Sequence, residues 1–131
     1  MNRLLFVFAF AVSLAAGACE PPPGFPLRAE SARYAVFFRT DPAVVDVGKY
    51  FSVEAAACAK PGAPAPSGLK VDAQMPAHRH GMNSRAAVEQ TGPGRFVARG
   101  LMFHMPGVWQ FMFDVQGADG AERATRDLDL Q

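Results

Sequence analysis

From Ser31 onward the apolar positions of the chain recur with a period of two. Ala32 to Arg39 is rich in β-forming residues and stops at Asp41-Pro42, a turn signal. Phe51, Val53, Ala55 and Ala57 alternate with Tyr50, Ser52, Glu54 and Ala56. Leu69, Val71, Ala73 and Met75 alternate with Lys70, Asp72 and Gln74, and Trp109, Phe111, Phe113 and Val115 with Val108, Gln110, Met112 and Asp114. Successive strand side chains point to opposite faces, so each set predicts one buried face. The breaks are rich in Pro and Gly: Lys60 to Gly68, Gly92-Pro93-Gly94, Pro106-Gly107 and Gly117 to Gly120. Five to seven short strands with such breaks predict an all-β chain, a single immunoglobulin-like antiparallel β-sandwich, over residues 31–131.

The first eighteen residues follow a different pattern. Arg3 precedes an apolar run from Leu4 to Leu14, and Ala16-Gly17-Ala18 has the small residues of a cleavage site. As a helix the run spans roughly 16 Å, short of the ~30 Å hydrocarbon core of a bilayer. A signal peptide is therefore expected over residues 1–18, with export and a mature chain starting at Cys19. Cleavage before a cysteine resembles the bacterial lipoprotein signal, although Ala16 stands where that signal usually has Leu. Lipidation of Cys19, giving membrane contact through the N-terminus, is one expectation. Pairing of Cys19 with Cys58, the only other cysteine, is the alternative in an oxidising periplasm. The two exclude each other, because a lipidated cysteine has no thiol. Residues 19–30, with Pro21, Pro22, Pro23 and Pro26, read as a stiff extended tether.

Composition narrows the function. The 131 residues are 50% hydrophobic and 19% charged, with a net charge of +1 that disappears with Arg3. A neutral mature chain lacks the basic excess of a nucleic-acid binder. The length leaves little room for a TIM barrel or a dinucleotide fold. No nucleophile elbow, P-loop, glycine-rich dinucleotide turn or HExxH occurs, so a non-enzyme is expected.

All three histidines lie in two short motifs with four of the five mature methionines. One is Met75-Pro76-Ala77-His78-Arg79-His80-Gly81-Met82-Asn83, the other Met102-Phe103-His104-Met105-Pro106-Gly107. Imidazole and thioether form a borderline-to-soft donor set suited to copper, Cu(I) above all. Zinc finds thioether a poor ligand, and magnesium and calcium want oxygen donors that neither motif supplies. The candidate metal ligands are His78, His80, Met82, His104 and Met105. Met75, Met102 and Met112 read as core filler and Trp109 as core. A hairpin turning at Gly92-Pro93 would bring the motifs together, and a bulge at Gly100 would set Met82 opposite His104. Without metal, the same residues would form a structural loop network.

These motifs, with Pro42 to Val53, Gly94-Arg95-Phe96 and Phe103-His104-Met105-Pro106-Gly107-Val108-Trp109, resemble the YtkA-like domain family over roughly Ser31 to Val115. That resemblance implies a small exported immunoglobulin-like domain, often lipid-anchored and similar in style to oxidase-assembly proteins of the FixH type, with copper handling suggested for some members. The chain carries the family's Met-Pro-x-x-x-His-Gly-Met and Met-x-Gly-x-Trp elements, with extra histidines at His78 and His104. The expected function is that of a periplasmic copper carrier exchanging its ion with a copper-donating or copper-accepting envelope protein. The alternative is a structural or protein-interaction module without metal.

Overall fold

A computed structural model describes residues 19–131, and the signal peptide expected over residues 1–18 lies outside the described residues. The described chain forms β1 (Leu27–Glu30), β2 (Tyr34–Asp41), β3 (Tyr50–Ala59), β4 (Gly68–Met75), β5 (His80–Gly81), β6 (Ala87–Gly92), β7 (Arg95–Met102), β8 (Gly107–Gly117) and β9 (Gly120–Leu130), with no helix among the described residues. All pairings are antiparallel.

The strands follow one another in a single hydrogen-bonded sheet, in the order β5-β4-β8-β9-β1-β2-β3-β7-β6. The sheet nevertheless works as a sandwich. β1 meets β9 at one pair only, Glu30 with Thr125, whereas it meets β2 at four. That narrow junction lets the sheet curl, so that β4, β8 and β9 lie over β2, β3 and β7. Phe38 of β2 packs on Phe111 and Phe113 of β8, with ring centroids 5.2 and 4.8 Å apart. Phe51 of β3 meets Phe111 edge-on at 6.3 Å.

The period-two faces are buried as expected. Phe51, Val53, Ala55, Ala57, Leu69, Val71, Ala73, Met75, Trp109, Phe111, Phe113 and Val115 all belong to one core. Each large side chain buried there contributes about 1.5–3 kcal/mol relative to exposure. Two departures concern segments read otherwise in the sequence. Residues 19–30 are no free tether, because Leu27–Glu30 pairs with β2 as β1 and Ala29 is buried in the core. β9 was hidden by charge: Arg123, Asp127 and Asp129 turn outward, while Glu122 and Arg126, opposite Val115 and Phe111, stand on the same face as the buried Ala124 and Leu130.

Strand pairing gives the sandwich two distinct ends. Met75, Tyr50, Met102, Gly107 and Leu130 mark one; Cys58, Gly68, Arg95, Gly117 and Gly120 mark the other. From Tyr50 to Cys58 along β3 is roughly 26 Å at ~3.3 Å per residue.

Candidate metal site

The first histidine motif folds because β4 ends in a tight reversal. The Met75 carbonyl accepts hydrogen bonds from the backbone N–H groups of His78 (3.1 Å) and Arg79 (2.9 Å). Arg79 has φ 55°, a left-handed conformation costing a side-chain-bearing residue on the order of 1–2 kcal/mol. The chain then runs back along β4, pairing His80 with Met75 and Gly81 with Gln74. His78 therefore sits on the turn, exposed, and His80 on the returning strand, half-buried.

The second motif is held from both sides. Phe103 is buried, and its carbonyl accepts a hydrogen bond from the Gly48 N–H at 2.8 Å. The Trp109 indole Nε1–H donates to the Met105 carbonyl at 2.9 Å. Gly107 turns the chain into β8 at φ 125°, where an added Cβ would lie 2.7 Å from Met75 Cε. Only glycine fits that position without displacing the core methionine. His104 is thereby fixed between two anchored neighbours.

The two loops bring the three imidazoles together. The rings of His80 and His104, 24 residues apart in sequence, have centroids 5.1 Å apart. His78 stacks on His80 at 5.7 Å with an interplanar angle of 22°. Trp109 lies beneath: its ring is 5.3 Å from His104 and 6.0 Å from His80, both edge-to-face. Its stacking partner is Phe103, at 4.5 Å and 6°. His80 Nδ1 lies 3.1 Å from the Gly81 carbonyl oxygen. His104 Nδ1 is buried with no hydrogen-bond partner.

The methionines are placed differently. Met82 is half-buried against the core and lines the groove of about 540 Å³ between β4 and β6, with Leu69, Val71 and Ala86. Met105 also packs on the core, and what it gives the site directly is its carbonyl, as the anchor of Trp109. Met75 is buried in the core and Trp109 fully buried, Met112 is buried outside the core cluster, and Met102, also read as filler, is only half-buried at the end of β7.

The hairpin route to this convergence needs correcting. β6 and β7 pair Ala87 with Arg99 and Val88 with Ala98, the register anticipated with a bulge. The register shift on this ladder, however, lies between Gln90 and Gly92, and the pairing stops at Ala87. Gly100, at φ 86°, instead adjoins the irregularity in the β3–β7 ladder. Met82 is therefore not a strand partner of His104. His80 and Gly81 hydrogen-bond back to β4 because the Arg79 reversal leaves them no extended path toward β7.

Lipidation of Cys19 also gives way to its alternative. Cys19 and Cys58 form a disulfide, with Cα atoms 5.8 Å apart, at the end of the sandwich opposite the histidines. A lipidated Cys19 would have no thiol with which to make this bond.

The donors fit some metals better than others. Arg79 is the only charged side chain in either motif, so the site offers neutral donors. Among the described residues, no group of three or more His, Cys, Asp or Glu is placed to hold a metal ion. A structural zinc site would need such a closed set, and calcium or magnesium would need carboxylates. Two close imidazoles with thioethers in adjoining loops suit a soft, singly charged ion of low coordination number. Comparison of the chain with protein-family models, curated proteins and solved structures found no match.

Proposed function

We propose that this chain is an exported, periplasmic copper-binding carrier that holds Cu(I) transiently between His80 and His104. His78 serves as the exposed ligand that hands the ion on, and Met82 and Met105 are the thioethers of the adjoining loops. The observation that carries this reading is the meeting of His80 with His104 at 5.1 Å from separate loops, with His78 stacked at 5.7 Å. Neutral, partly exposed donors in small number favour exchange over permanent retention, as a carrier requires. The YtkA-like resemblance of the two motifs agrees with this assignment. The disulfide supports export, since such bonds persist in oxidising compartments. It also ties the N-terminal segment to the far end of the sandwich, leaving the histidine end clear for a copper-donating or copper-accepting envelope protein.

The test is Cu(I) titration of residues 19–131 against a competing chelator, with the triple variant His78→Ala, His80→Ala, His104→Ala alongside. The carrier reading predicts at least a roughly tenfold weaker competition by the variant, about 1.4 kcal/mol. Equal competition by both proteins would overturn it.

A second reading has one specific observation in its favour. Among the described residues, the large hydrophobic side chains that are exposed, Val44, Val47, Tyr50 and Val108, all belong to the histidine end or the loop that closes it. Apolar exposure gathered in one region marks an interaction surface. A metal-free interaction module would use the same end of the molecule, and its binding would survive the triple histidine substitution.

A further inference from the structure

Each imidazole of the close pair has one nitrogen whose role is constrained by its surroundings. A carbonyl oxygen only accepts hydrogen bonds, so at 3.1 Å from the Gly81 carbonyl His80 Nδ1 carries the proton. That leaves the His80 Nε2 lone pair free. His104 poses the harder case, because its Nδ1 is buried and no oxygen or nitrogen partners it. A buried polar atom without a partner costs about 1–3 kcal/mol.

The neighbour best placed to lower that cost is Trp109. Phe103 covers one face of the indole at 4.5 Å. The Nε1 edge is taken by the Met105 carbonyl. His104 meets the indole at 78° and 5.3 Å, an edge-to-face arrangement, and the face opposite Phe103 is the one left for a donor. The face of an aromatic ring carries the negative end of its quadrupole and accepts N–H donors.

We propose that Trp109 is a positioning residue for the histidine pair: its indole face accepts Nδ1–H of His104, so that His104, like His80, keeps Nε2 as its unprotonated nitrogen. Trp109 thus sets the tautomer of His104 as the Gly81 carbonyl sets that of His80. A metal-binding histidine is commonly fixed in this way by whatever its other nitrogen donates to. Free histidine in water prefers the opposite tautomer, with the proton on Nε2, so the assignment is not a default. The tautomers belong to the metal-free chain; only their use as paired Nε2 donors rests on the copper reading.

The experiment is a long-range proton–nitrogen correlation spectrum of residues 19–131 with ¹⁵N-labelled histidine, recorded at about pH 8, before and after addition of Ag(I) as a redox-inert probe for Cu(I). The metal-free protein should show His80 and His104 protonated at Nδ1, with the His104 Nδ1 proton moved upfield by the indole ring current. Trp109→Leu should abolish that upfield shift and return His104 toward the Nε2-protonated form, and Trp109→Phe should restore the shift in part. A wild-type His104 protonated at Nε2 overturns the proposal, and this reading stands even where the Trp109 variants do not fold. So does Ag(I) entering through His104 Nδ1. If both tautomers are as expected and Ag(I) moves neither Nε2 resonance, the positioning role holds and the copper reading fails.

Discussion

Gly107 shows how much of the site depends on single positions outside its donor set. Its positive φ and the nearness of Met75 Cε leave no room for a side chain where the second motif turns into β8. Gly107→Ala should destabilise the fold by about 1–3 kcal/mol, the usual cost of a strained backbone position, and displace His104. Gly48→Ala is the control, because Gly48 has φ 77° but nothing within 4 Å of an added Cβ. Chemical denaturation should place Gly107→Ala below Gly48→Ala in stability; the reverse order would remove Gly107 from the account. At this scale the sequence was informative about identity and silent about placement. Three histidines and four methionines in two windows were plain to see. That Arg79 would take a left-handed turn was not, since the usual signals there are Gly, Asn or Asp.

At the scale of elements, alternation of apolar residues made β3, β4 and β8 legible, because each buries one complete face. It failed for β9, whose inward positions include the charged Glu122 and Arg126, and for β1, where four prolines nearby suggested an extended linker. β9 is instead held through its charged side chains. Arg123 forms a bidentate pair with Asp114 across the β8–β9 ladder at 2.7 and 2.9 Å. At the end away from the histidines, the nearby Ser31 hydroxyl and the hydrogen bonds Glu122 accepts from the Arg33 side chain and backbone hold its pKa down from 4.5 to about 2. A carboxyl with a depressed folded-state pKa adds stability above its unfolded pKa and loses it as pH falls toward the folded value. Stability measured between pH 4.5 and 2 should therefore fall more steeply in the wild type than in Glu122→Gln; parallel profiles would show that these contacts carry no net linkage.

Over the whole molecule, the sandwich sets its disulfide and its histidine cluster at opposite ends. The Cys19–Cys58 bond closes a sequence separation of 39 residues at one end, and the imidazoles gather at the other. A loop of that size gives a disulfide a stabilising effect of roughly 3–4 kcal/mol by restricting the unfolded chain. Cys58→Ser should lower stability by that order while leaving metal affinity unchanged. Intact mass spectrometry of residues 19–131, the chain that the proposed signal cleavage would release, should find it lighter by two hydrogens than the reduced chain, and a mass increased by acyl chains would contradict the bond. The sequence left this choice open because cysteine spacing alone does not reveal proximity. Nor did it reveal that one Glu30–Thr125 pair joins the two layers into a continuous sheet.

Trp109 supplies the most direct test of the central claim, because it is the only tryptophan and lies 5.3 Å from His104 and 6.0 Å from His80. Anaerobic titration of residues 19–131 with Cu(I), followed by tryptophan emission, should show a change that saturates at one ion per chain and is absent from the triple histidine variant. Emission that stays constant, or that changes equally in the variant, would contradict a copper site built on these histidines.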